Sequence, residues 1–136
     1  MSIQQEDKEA IRDLISNYCY YADSADADRF VAQFTEDCVW DGGAIGRFEG
    51  RAALHAFIAG FAKGPRTMRH LTLNTVITGA GTQAQAKSYI VVTNQSGDAP
   101  ALMMTGFYDD VFVKQGGRWL FKSRSIPTDP TVFSGR

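Results

Sequence analysis

His70 stands at the head of a strand-like run, Arg69-His70-Leu71-Thr72-Leu73-Asn74-Thr75-Val76-Ile77, and the chain holds only one other histidine, His55. Imidazole has a reference pKa of ~6.5, so its neutral form is available near neutral pH to accept a proton. A carboxylate on the far ring nitrogen would fix the tautomer and stabilise the imidazolium that forms. Asp23, closing the predicted first helix, can supply that carboxylate if the fold brings the two groups together. Such a pair is a general base that needs neither metal nor cofactor, and its contribution to proton transfer is typically on the order of 10²–10⁴-fold. Periodicity alone leaves Asp23 half exposed at the flank of the helix stripe. Asp26 and Asp28 in the same turn are similar candidates, with helix capping as the competing role.

Other side chains could serve the same chemistry. Tyr18, within the apolar stripe of the first helix, could donate a hydrogen bond to a departing hydroxyl or a carbonyl, or simply pack. Trp40 and Tyr108 are the aromatic residues expected to line a pocket, while Phe57, Phe61 and Tyr89 read as core. Asn74 alternates onto the face of His70 and could polarise a substrate oxygen. Arg124, in Lys122-Ser123-Arg124, could stabilise an anion, or be a surface cation on a strand end. His55 reads as solvent-facing and inert. Asp109 and Asp110 alternate faces and cannot act as a carboxylate pair. No metal is expected, since two histidines without HxH or HxxxH spacing make a poor ligand set. No phosphate loop or dinucleotide motif occurs, so no cofactor is expected.

The elements that must position these groups are legible as patterns. Ile11, Leu14, Ile15, Tyr18, Cys19 and Ala22 recur at helical spacing, and Ser2 with Gln5 looks like a capping box, giving a helix over 4–23. A short helix is expected over 27–34, with Phe30, Val31 and Phe34 as its apolar face, and a third over 51–62. Val39-Trp40 and Arg47-Phe48-Glu49 read as short strands. Residues 68–78, 84–93, 101–113 and 119–125 read as long strands joined by Gly-rich turns, an antiparallel meander. Helices first and strands second point to the α+β class. Both faces of the 68–78 strand carry apolar residues. One is expected to cover helices and pocket and the other a second subunit, in a homodimer or homotrimer.

The 136 residues fit one domain that can bury a core without disulfides. Nine Phe, five Tyr and two Trp suffice to line an apolar cavity as well as fill that core. The net charge of −1, with no basic block, disfavours nucleic acid and anionic membrane as partners. Cys19 and Cys38 have no CxxC or zinc spacing and read as free thiols. The polar N-terminus is no signal peptide, and no stretch has membrane-spanning length, so a cytoplasmic protein with a small-molecule ligand is expected.

Several motifs together carry a family resemblance: Ile11-Arg-Asp-Leu-Ile15, Asp23 followed by Ala27-Asp28-Arg29-Phe30, Phe34-Thr-Glu-Asp37, Trp40, Arg69-His70-x-x-x-Asn74, Tyr108-x-Asp110 and Gly117-Arg-Trp119-x-Phe121. They span nearly the whole chain, which resembles the nuclear-transport-factor-2-like superfamily in its SnoaL-like branch. That resemblance implies a cone-shaped α+β barrel, three N-terminal helices packed on a curved, mostly antiparallel sheet. Within the branch the chain is similar to the γ-hexachlorocyclohexane dehydrochlorinases and to the scytalone dehydratases, whose Asp–His dyad falls on Asp23 and His70. A pocket tryptophan falls on Trp40, a pocket aromatic near Tyr108 and an anion-stabilising arginine close to Arg124. The resemblance therefore implies cofactor-free β-elimination on a small, largely apolar ring. The same fold also hosts ketosteroid isomerases and non-catalytic dioxygenase subunits. The chain departs from both lyases. Tyr18 stands where the dehydrochlorinases have a lysine, and Val92-Thr93-Asn94 where the dehydratases have a second histidine. The dehydratases' serine and asparagine on the fifth strand are replaced near Gly106 and Tyr108.

Overall fold

In a computed structural model that describes residues 2–128, three helices lie against one six-stranded sheet. The helices are α1 (Gln5–Asp23), α2 (Ala27–Val31) and α3 (Arg51–Gly60). The strands are β1 (Phe34–Asp41), β2 (Arg47–Glu49), β3 (Met68–Ala80), β4 (Gln83–Ser96), β5 (Ala99–Gln115) and β6 (Arg118–Ser125). Their spatial order is β2-β1-β6-β5-β4-β3, so the sheet is curved but unclosed. The pairings are antiparallel apart from β1–β6, which is parallel. The expected α+β class and helix-on-curved-sheet arrangement hold. The simple meander is extended by that parallel pair, which places Trp40 beside Arg124.

Register irregularities in β3, between β4 and β5, and between β5 and β6 supply the curvature, because an extra residue on one strand bends it and raises its twist. The bulge in β3 corrects the sequence reading. Leu73 faces Tyr89 and Val76 faces Lys87, so Asn74 and Thr75 together oppose Ser88. Asn74 adopts φ 58°, a left-handed conformation that asparagine tolerates better than most residues. The alternation changes phase there. His70 and Thr72 point inward, and beyond the bulge Thr75 and buried Ile77 take over that side. Asn74 is exposed and does not share the face of His70.

Two helix boundaries also differ. Phe34 begins β1 instead of ending α2, since its ring stacks on Phe121 with centroids 4.8 Å apart across the parallel pair. The N-cap of α1 is Gln4 without a side-chain hydrogen bond, so the Ser2–Gln5 box is not formed. The chain there is anchored by the Ile3 N–H donating to the Gly79 carbonyl at 3.0 Å. Phe30, Phe34, Phe112 and Phe121 are all fully buried at the closed end of the curl, beneath Tyr18. Each such side chain contributes roughly 1.5–3 kcal/mol of burial free energy.

Candidate active site

The fold joins the C-terminal end of α1 to the start of β3. Ile11, Ile15, Cys19 and Asp23 follow one another at i, i+4 along α1, a ridge that faces the sheet. Cys19 Sγ lies 3.3 Å from Thr72 Oγ1, and one turn later Asp23 reaches His70. Asp23 Oδ1 is 2.6 Å from His70 Nδ1, and the His70 backbone N–H donates to Oδ1 at 3.2 Å and Oδ2 at 3.1 Å. The three aspartates of the turn thus take different roles. Asp26 caps α2 by accepting from the Arg29 N–H, and Asp28 bonds His55 Nε2 at 2.7 Å. His55 is therefore engaged with a carboxylate, contrary to its reading as an inert side chain.

The ring and carboxyl side chains of this dyad are 19% and 23% exposed, at the rim of an apolar cavity of about 250 Å³. Because Nδ1 faces a carboxylate, the neutral form of the ring carries its proton on Nδ1 and keeps its lone pair on Nε2. His70, Tyr18, Trp40 and Tyr108 all line the cavity, together with Phe57 and Phe61. Sequence patterning did not single out Ile45, Met104 or Ile126, which also line it. Ile126 arrives because the chain after β6 crosses the sheet. Its N–H donates to the Asp41 carbonyl, and the Phe107 N–H donates to Pro127. A Cβ on Gly106 would lie 2.7 Å from that Pro127 carbonyl oxygen, which explains a glycine in mid-strand. Phe133, which the sequence offers either as a plug for the cavity or as part of a tail lying on a neighbouring subunit, falls outside the described residues.

Polar groups lie buried behind the aromatic lining of the cavity. Trp40 Nε1 donates to the Tyr18 hydroxyl at 2.8 Å. Beneath the tyrosines, Arg124 is fully buried and bonds Asp110 twice, Nε to Oδ1 at 2.7 Å and Nη2 to Oδ2 at 2.8 Å. Its guanidinium carbon sits 3.5 Å from the Tyr108 ring centroid and 4.2 Å from that of Tyr18. Arg124 is thus neither a surface cation nor part of the cavity lining; cross-strand pairing of Asp110 with Arg124 draws it under the aromatic floor. Burial pushes the Asp110 carboxyl upward and the guanidinium opposes that shift. Burial also raises the Tyr18 and Tyr108 phenols, with Arg124 pulling the other way. Both phenols stay protonated at neutral pH. Among the described residues, no three His, Cys, Asp or Glu side chains cluster as a metal site. Nor is any described helix long and apolar enough to cross a membrane.

The model of the SnoaL-like domain family matches residues 4–125. A protein of unknown function from Mycobacterium tuberculosis is 28% identical, with a TM-score of 0.86 over 93% of this chain and 78% of that one. A Novosphingobium aromaticivorans protein named "Putative Scytalone Dehydratase" is 25% identical, with a TM-score of 0.80 over 90% of this chain and 84% of the other. The β subunit of a "putative aromatic-ring-hydroxylating dioxygenase" from the same organism is 25% identical, with a TM-score of 0.82 over 92% and 90%. No curated protein matches the chain.

Proposed function

The chain belongs to the SnoaL-like family, a branch of the nuclear-transport-factor-2-like fold whose members include polyketide cyclases and scytalone dehydratase-like proteins, and from that premise we propose that it is a cofactor-independent lyase. His70 removes a proton from carbon, and a hydroxyl or halide leaves the adjacent carbon as the double bond forms. Asp23 holds the imidazole in the Nδ1–H tautomer and stabilises the imidazolium. The observation that carries this reading is the 2.6 Å Asp23–His70 contact at the rim of an apolar cavity. That cavity, about 250 Å³ with aromatic walls, suits a small and largely apolar cyclic substrate. Turnover of such compounds should be abolished in His70→Ala and Asp23→Asn with the fold retained. Turnover equal to wild type in both variants would end the proposal. Isomerisation by the same base is separated by product mass, which isomerisation conserves and elimination lowers.

A non-catalytic assembly role is the second reading, favoured by the likeness to a dioxygenase β subunit. It predicts a stable complex with a larger iron-containing chain. The outer side of β3–β5 supports self-association instead. Leu71, Leu73, Tyr89, Leu102 and Phe107 are all exposed there. We place a second copy of this chain on that face, in a dimer or trimer, as the sequence leads one to expect. Analytical ultracentrifugation that finds a monomer at micromolar concentration would contradict this.

A further inference from the structure

Adjacent residues of a strand point to opposite faces, so two neighbours that line one cavity need a break in the pleat. Met103 and Met104 are such neighbours on β5, and both line the cavity. The break is in the register. Thr93 pairs with Leu102 and Val92 with Met104, which leaves Met103 as the extra residue of a bulge, a device that re-aims a side chain. Without Met103, Leu102 and Met104 would be ordinary neighbours, one outward and one inward as they already stand, so strand pairing does not require it. Exposure locates Met103 along the cavity. Tyr18, Ile90, Val92, Met104 and Tyr108 are buried in its inner walls, whereas Met103 is 45% and Phe61 43% exposed, which marks these two as its mouth. Half-buried Met68, the first residue of β3, also lines the cavity, so three of the chain's four methionines meet there. Methionine is unbranched and polarisable, and packs adaptably against rings.

We propose that Met103 is the cover of the cavity mouth and a site of reversible oxidation, whose sulfoxide form turns apolar ligands away. The oxidant is a peroxide. The Met103 sulfur attacks one peroxide oxygen, the S–O bond forms and the O–O bond breaks. The proton of the attacked oxygen passes to the departing hydroxide, which leaves as water. Sulfur gives up two electrons and the peroxide accepts them. The product replaces a flexible apolar group with a polar one. With a ligand in place, the sulfoxide must either lie unpaired against it or swing into water and leave the mouth uncovered. Both outcomes weaken binding of an apolar ring. Met104 is 8% exposed and shielded behind Met103, so Met103 is oxidised first.

The inference rests on reading the cavity as a ligand site, and its test is independent of turnover. The probe is N-phenyl-1-naphthylamine, an uncharged aromatic fluorophore, titrated into the full chain before and after treatment with dilute hydrogen peroxide. Fragment mass spectrometry locates the added oxygen. Met103 should gain it ahead of Met68 and Met104, and probe affinity should fall by about fivefold or more, the lower bound for a polar group left unpaired. Methionine sulfoxide reductases for both epimers should restore the affinity. Met103→Leu, close in volume, should bind the probe like wild type and keep its affinity in peroxide. Met103→Ala, which leaves the bulge but removes the cover, should bind more weakly without peroxide. No binding to the reduced wild type, oxidation of Met103 after the other two, or an affinity unmoved by its sulfoxide would overturn the assignment. So would a peroxide loss that persists in Met103→Leu, which would place the sensitive group at another side chain such as half-buried Cys19. His70→Ala should show the wild-type peroxide response. That response without any His70-dependent chemistry would remove the lyase reading and leave the gate standing.

Discussion

The tautomer of His70 offers a test that needs no substrate. The carboxylate of Asp23 takes hydrogen bonds from the ring Nδ1 and from the backbone N–H of the same residue. A hydrogen bond to a charged acceptor contributes about 1.5–3 kcal/mol. Since ~1.4 kcal/mol is a factor of ten, the Nδ1–H form of neutral His70 should exceed the Nε2–H form by roughly 10- to 150-fold. His55 provides an internal reference of opposite kind, because its Nε2 faces Asp28 at 2.7 Å. With only two histidines, a long-range ¹H–¹⁵N correlation spectrum assigned with His55→Gln resolves both rings. The expected spectrum holds one Nδ1–H ring, His70, and one Nε2–H ring, His55. In Asp23→Asn the amide can present its NH₂ to Nδ1, which would then become the acceptor. The proton would move to Nε2 and the lone pair there would be lost. A wild-type His70 protonated on Nε2, or a tautomer unchanged by Asp23→Asn, would refute the claim that Asp23 prepares the base.

Further predictions concern the frame around the dyad. Arg124→Met leaves the Asp110 carboxylate buried without its partner, and should cost about 3–5 kcal/mol in urea unfolding. Arg124→Met with Asp110→Leu should recover most of that loss. Gly106→Ala drives a methyl against the Pro127 carbonyl oxygen and should cost about 1–3 kcal/mol, with faster amide exchange at Phe107, whose N–H bonds that carbonyl. The Asp7 carboxyl is held below its ordinary value by hydrogen bonds from Trp119 and Lys114. A depressed folded-state value means that Asp7 adds stability above pH ~4 and loses it as pH falls through that value. Asp7→Asn should therefore flatten the acid limb of a stability–pH curve, and an unchanged limb would contradict the sign.

What the sequence disclosed tracks the range of the interactions involved. The ridge of α1 and the long strands repeat with fixed periods, so Ile11–Asp23 and Met68–Ala80 were visible as elements. Phe34 defeated that reading because Phe30, Val31 and Phe34 satisfy helical spacing equally well. Only the distant partner Phe121 draws Phe34 into β1. Strand alternation assumes an unbroken pleat and therefore assigns Asn74 to the wrong side. Asparagine's tolerance of positive φ was the available hint of a bulge. The partnership of His70 with Asp23, over Asp26 or Asp28, came from family resemblance, since periodicity could not sort three carboxylates in one turn. Arg124 was ambiguous for a related reason. Its burial depends on Asp110 lying directly opposite on β5, and register between strands is not written in either strand alone.

Proton removal from carbon by His70 inside the cavity is the step on which the proposed chemistry turns. Its most direct test is to incubate the protein in D₂O with a panel of small cyclic ketones, alcohols and chlorinated rings, and to follow each by mass spectrometry. With wild type, at least one compound should either lose water or hydrogen chloride or take up deuterium at carbon, and both signals should vanish in His70→Ala. Exchange or elimination that proceeds equally well in His70→Ala would contradict it.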